Sequence, residues 1–157
     1  MATYFNKPGN YTPQVIKYVK KRLKRQDIKD IVLATSKGET AREFYKSFVE
    51  YALKKKKNLR IIAVTHQAGF RAPGEMELED SVKKELENHN IEIVTATHAL
   101  AGVGRAVRKK HGTWQISELI AESLRTFGQG TKVCAEITMM AADAGKIKMN
   151  PIIAVGG

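Results

Sequence analysis

Apolar residues recur every three to four positions over residues 12–25. Val15, Ile16, Val19 and Leu23 share one side, and Lys17, Lys20, Lys21 and Lys24 fill the other. That spacing predicts an amphipathic helix, with Thr12 as its cap and Pro13 at its first position. The run 31–34 is short, continuous and apolar, the mark of a buried strand. Helical spacing returns over 38–53, with Ala41, Phe44, Phe48 and Ala52 inward, and this helix ends at the lysine run 54–57, charges that suit a helix C-terminus. A strand over 60–64 follows, then a loop punctuated by Gly69, Pro73 and Gly74. Next come a helix near 77–88, with Leu78, Val82 and Leu86 inward, and a strand over 91–95 reaching toward Thr97. A glycine-punctuated stretch, 101–112, carries a short helix. Residues 116–127 and 132–144 are helical, parted by Gly128-Gln129-Gly130 and stopped by Gly145. Residues 151–155 form the last strand. Strands alternating with helices predict an α/β fold of three layers, α/β/α, around a mainly parallel sheet. With no linker, low-complexity tract or second core, one domain spans residues 1–157.

Three strands end alike, in Ala34-Thr35-Ser36, Val64-Thr65-His66 and Ala96-Thr97-His98. Their threonines are 30 and 32 residues apart, about one βαβ unit each. Threonine suits strands and caps helices, but three such pairs, two with histidine, exceed what capping requires. They line up at the carboxyl edge of the sheet, where open α/β sheets bind ligands. The link Thr35-Ser36-Lys37-Gly38-Glu39-Thr40-Ala41 joins a strand to a helix. Its hydroxyls, helix-start N–H groups and positive dipole end suit an anion, and Gly38 permits close backbone approach. It is not a Walker loop, because its lysine precedes its glycine. His66 and His98 are the candidate acid/base groups; no spacing of histidines or carboxylates around them predicts a metal. Gly102-Val103-Gly104-Arg105 and Gly128-Gln129-Gly130 are glycine turns, and Arg105 can pair with phosphate. Glu136 and Asp143 share a helix face as ligand contacts or as the end of an amphipathic stripe. Cys134 and the pair Met139-Met140 read as core.

Composition changes the picture in two respects. Of the 157 residues, 43% are hydrophobic, which excludes a disordered chain. The chain carries 27 Lys+Arg against 16 Asp+Glu, a net charge of +11. Residues 1–60 hold 16 of those cations and 5 anions, while residues 61–157 hold 11 of each. The basic excess reads as a solvated lysine face serving solubility, with no specific nucleic-acid partner. No apolar run is long enough to span a membrane, the start lacks a signal-peptide core, and the single cysteine cannot form an internal disulfide. The expected location is cytoplasmic, with no membrane partner; a homo-oligomer is left open.

Taken together, the motifs are similar to those of the stand-alone proteins related to the C-terminal α/β domain of pyruvate kinase. The resemblance runs over nearly the whole length. It rests on the loop from Ser36 to Ala41, Thr65-His66 with Gly69-Phe70 and Pro73-Gly74, and Thr97-His98-Ala99-Leu100 with Gly102-Val103 and Arg105. Arg125, Phe127-Gly128-Gln129-Gly130, Lys132-Val133-Cys134, the run from Met140 to Gly145 and Ala154-Val155-Gly156-Gly157 complete it. The resemblance implies a phosphate held at residues 36–40, as that domain holds an allosteric sugar bisphosphate. It also implies flavin mononucleotide as the cofactor, with no settled reaction. The flavin ring is expected across the sheet edge near Thr65, His66, Phe70, Thr97 and His98. Relatives continue beyond the position of Gly157 with another glycine-rich strand segment. The catalytic barrel of pyruvate kinase has no counterpart in these residues, so pyruvate kinase activity is not expected. Three functions compete: a phosphorylated-small-molecule binder, first of all for flavin mononucleotide; a sugar-phosphate sensor without catalysis; and a nucleic-acid binder using the basic first third.

Overall fold

The computed structural model describes residues 3–5, 7, 9–25, 27–55 and 58–157, without the side chains of residues 50, 54 and 55. Its sheet has four strands: β1 (Asp30–Ala34), β2 (Arg60–Thr65), β3 (Ile91–Thr95) and β4 (Ile152–Val155). They lie in the order β3-β2-β1-β4, and every pairing is parallel. The helices are α1 (Thr12–Arg22, continued by a 3-10 turn at Leu23–Arg25), α2 (Glu39–Lys55), α3 (Asp80–Asn88), α4 (Gly102–His111), α5 (Ile116–Arg125) and α6 (Gln129–Asp143). This is an α/β fold.

Alternation along the strands sends residues to two cores, because successive side chains leave opposite faces. Ile31, Leu33, Ile61, Ala63 and Ile91 pack with Ile16, Val19 and Leu23 of the first helical segment, Phe44 and Phe48 of α2, and Leu86 of α3. Val32, Ile62, Val64 and Val94 pack with Ile137, Met140 and Ala141 of α6 on the other face. Helices thus cover both faces. At the amino edge of the sheet, Arg60 Nε and Nη2 donate to the buried Asp30 carboxylate at 2.8 and 2.9 Å and Nη1 to Glu92 at 3.2 Å. That network satisfies a buried acid far from the carboxyl edge.

Several boundaries differ from the sequence reading. Thr12 is the first residue of α1, not its cap; its N–H donates to Asn10 Oδ1 at 3.0 Å. The helix expected from residue 77 starts at Asp80, so Glu77 lies in the preceding loop, although Leu78 still reaches the core. The helix expected from Lys132 starts at Gln129, which puts Gly130 inside its first turn. It ends as expected at Gly145: φ there is 67°, and the Gly145 and Lys146 N–H groups bond to the Ala142 and Ala141 carbonyls, a Schellman closure. Met140 is core, but Met139 is exposed. Lys17, Lys21 and Lys24 are exposed, whereas Lys20 is half-buried, its Nζ 5.5 Å from the Phe48 ring centroid. The lysine run 54–57 lies outside the described side chains.

Candidate functional site

A parallel sheet brings all its strand ends to one edge, and the helices that return antiparallel to the strands begin at that same edge. Here a cleft of about 470 Å3 opens there, bounded by the ends of β1 and β2 and by α4, α5 and α6. The register explains which threonines meet at its floor. Thr65 pairs with Thr95, and the Thr35 N–H donates to the Val64 carbonyl at 3.0 Å. Thr35 and Thr65 line the cleft; Thr95, which pairs with Thr65, is exposed and outside it, and Thr97 lies two residues beyond β3 and does not line it either. The Thr35 and Thr65 hydroxyls have local work. Thr35 Oγ1 accepts the Gly38 N–H at 3.1 Å, and Thr65 Oγ1 lies 2.8 Å from Thr95 Oγ1. Among the described residues Ser36 and Thr40, which line the cleft, have no hydrogen-bond partner. Their hydroxyls are free to donate into the cleft.

The rest of the expected phosphate loop faces elsewhere. Lys37 and Glu39 are exposed, and Ala41 is core. Gly38 has φ 91°, and a Cβ there would lie 2.6 Å from Val82 Cγ1 and 3.4 Å from Leu78 and Leu86. Its missing side chain makes room for α3 and the core. The turn at Gly128, Gln129 and Gly130 contributes Gln129 to the cleft wall. A Cβ on Gly130 would meet the Gly156 carbonyl oxygen at 2.6 Å, so this glycine lets the chain after β4 cross the first turn of α6. Gly104 does the same between α4 and the Ser117 hydroxyl of α5, at 2.6 Å. Gly69 and Gly102 border a second, smaller hollow beside the cleft, together with Arg105.

Aromatic rings form one wall. His66 and Phe70 stack with centroids 3.9 Å apart, and His98 lies 5.3 and 5.1 Å from them. His66 Nδ1 is hydrogen-bonded to Glu77 Oε2, and Arg71 Nε donates to Glu77 Oε1 at 2.6 Å. The His66 bond first, then Arg71, holds the Glu77 carboxyl below its ordinary 4.5 against the opposing effect of burial. Burial pushes the His98 imidazole below its ordinary 6.5; Glu136 opposes this, while His66, Lys132 and Arg105 add to it. The His98 loop is pinned from both sides: its N–H donates to Gln67 Oε1 at 3.2 Å, and the Leu100 N–H donates to Glu136 Oε1 at 3.0 Å.

Four cations line the cleft, and three are neutralised by carboxylates in its wall. Buried Lys132 donates to buried Glu136, Arg108 Nε to Glu118 at 2.8 and 2.9 Å, and Arg125 to Glu122. Arg105 has no ion pair among the described residues. Asp143 is exposed and outside the cleft. Cys134 is half-buried on α6, and burial pushes its thiol above the ordinary 9.0.

The sequence reading gave no site role to Lys132, Arg108, Glu118, Glu77 or Gln67. Lys132 and Glu136 carried a signal, since with Met140 they follow an i, i+4, i+8 stripe adjoining Val133, Ile137 and Ala141. Charges on an apolar stripe are buried only when paired. No family model matches the sequence. Among the described residues, no helix is long and apolar enough to cross a membrane.

Proposed function

We propose that this protein binds a phosphorylated small molecule, flavin mononucleotide first of all, in the cleft at the carboxyl edge of its sheet. We propose also that its fold is that of the pyruvate kinase C-terminal-domain-like proteins its motifs resemble. One observation carries the binding reading: two unpartnered hydroxyls at the start of α2 and a three-ring aromatic wall line the same cleft. A phosphate needs converging donors with little reorganisation, and an aromatic ring system needs a flat apolar face. The cleft volume falls within the usual range for a cofactor site, about 300–1,000 Å3.

The residues fit such a ligand. Ser36 and Thr40 donate to phosphate oxygens at the start of α2, whose N–H groups and positive dipole end favour the anion. Phe70 and His66 offer the face for a planar ring. Lys132, held by Glu136, keeps the floor electrostatically set without leaving a naked charge. When bound, the flavin supplies the redox chemistry; the protein binds and orients it and excludes water from one face.

The test is the colour and affinity of the purified protein. Absorbance near about 450 nm, or saturable quenching of added flavin fluorescence, is the expected result. Ser36→Ala should then weaken binding by about 1–2 kcal/mol, one hydrogen bond to a charged group, or about tenfold in affinity. A colourless protein that ignores flavin but binds a sugar bisphosphate would replace this reading with phosphate sensing.

A further inference from the structure

Beside the main cleft lies a hollow of about 220 Å3, large enough for a small organic acid and too small for a nucleotide. The two share a wall made of Phe70, His98 and Arg105. Their electrostatics differ. The cleft matches three of its four cations with carboxylates, whereas no Asp or Glu lines the hollow. Arg105 and Lys109 stand one turn apart on α4, so both point to the same side. Neither has an ion pair among the described residues, although α4 and α5 do supply one to Arg108. Gln67 accepts the His98 N–H through Oε1, which leaves its amide NH2 as a further donor at the hollow.

We infer that this hollow is the subsite of a second, small anionic ligand, a carboxylate or a phosphate monoester, gripped by Arg105 and Lys109 with its body against Phe70 and His98. The guanidinium fork of Arg105 matches either anion in two parallel bonds, and Lys109 adds a point charge. The inference rests on the flavin reading only for what the second ligand lies beside; anion binding stands without it. If both hold, the aromatic wall separates a cofactor from a small acid that approaches it.

The experiment titrates the purified protein with inorganic phosphate, acetate and benzoate at fixed ionic strength near about 0.15 M, where loose surface attraction is screened. Affinity is read by calorimetry and location by amide shifts of Gln67, Arg105 and Lys109. Flavin mononucleotide is titrated in parallel. The expected result is saturable anion binding that shifts those residues and that Lys109→Ala weakens about fivefold or more. Flavin affinity should stay within about twofold in the same variant, and Ser36→Ala should do the reverse. Tighter binding of phosphate than of either carboxylate assigns a phosphate monoester. Tighter binding of benzoate than of acetate assigns an acid with an aromatic or apolar body. If Lys109→Ala weakens flavin and anion alike, the hollow belongs to a single larger ligand and the inference falls. It falls equally if no anion saturates, or if Lys109→Ala changes nothing. Anion binding at the hollow in a protein that ignores flavin would sink the flavin reading and leave the subsite standing.

Discussion

Gly38 is where two accounts of the loop between β1 and α2 diverge most sharply. If it serves a ligand, a side chain there blocks phosphate approach; if it serves the core, the same side chain destabilises the fold. Consider Gly38→Ala. The backbone φ of 91° is strained for any residue with a Cβ, which costs about 1–2 kcal/mol. The new methyl would lie 2.6 Å from Val82 Cγ1, with Leu78 and Leu86 at 3.4 Å behind it. Overpacking of that kind costs about 1–3 kcal/mol. Loss of glycine's freedom in the unfolded chain offsets about 0.4–1 kcal/mol. The net destabilisation is about 1–5 kcal/mol, a large share of the ~5–15 kcal/mol that holds a typical domain together. Urea unfolding measures it directly. Adding Val82→Ala removes the clashing methyl, so the two substitutions should couple favourably by about 1 kcal/mol or more. The affinity of the folded Gly38→Ala fraction for flavin mononucleotide should match that of the parent. Stability within about 0.5 kcal/mol of the parent, together with lost affinity, would refute the packing argument and return Gly38 to the ligand.

Three other outcomes follow from charges. Glu136→Ala strands buried Lys132 and removes the acceptor of the Leu100 N–H, so it should cost about 3–5 kcal/mol in urea unfolding. Replacing Lys132 and Glu136 together by Met and Leu should cost less. Because burial lowers the folded-state value of His98, the unfolded chain takes up that proton first as pH drops below 6.5. Stability should fall with acidification there, by at most about 1.4 kcal/mol per pH unit, and His98→Gln should flatten the slope. Glu77, whose folded value is lowered, should add a further loss only below 4.5. Lys17, Lys21 and Lys24 should confer nucleic-acid binding that is weak, sequence-independent and abolished near physiological salt, as read by gel shift against ionic strength.

The strands and helices were legible because each is short, strongly patterned and bounded by glycine, proline or charge. All four strands fall within one or two residues of where apolar runs place them, since a parallel sheet buried on both faces tolerates little else. The site was legible only in outline. Ser36, Thr40, His66, Phe70, His98 and Arg105 do come together, because strand ends and helix starts share one edge. Thr97 was misplaced because its sequence context mimics Thr65, while register is decided by pairing and selects Thr95. Gly38 was readable as a glycine that needs its freedom, but not as one whose empty side faces Val82, because α3 arrives about 40 residues later. Glu77 was hidden by the helical pattern that begins at Leu78. The Glu77 carboxylate instead belongs to a loop, where it can turn toward His66.

The distribution of charge carries a lesson that composition alone inverts. The whole excess of +11 lies in residues 1–60, and the described lysines of α1 point to solvent or cover Phe48. The cations of the cleft come from residues 61–157, a stretch with no net charge at all. In the cleft itself three carboxylates stand against those four cations. A cation moved from water into a cleft wall loses hydration that only a nearby carboxylate replaces, so Lys132, Arg108 and Arg125 arrive with Glu136, Glu118 and Glu122. A surface lysine needs no such partner, and an excess can accumulate there without function. Arg105 lines the cleft but is exposed, so it keeps its hydration and needs no acid beside it. Among the four cations of the cleft it is the one whose charge no carboxylate of the described residues neutralises.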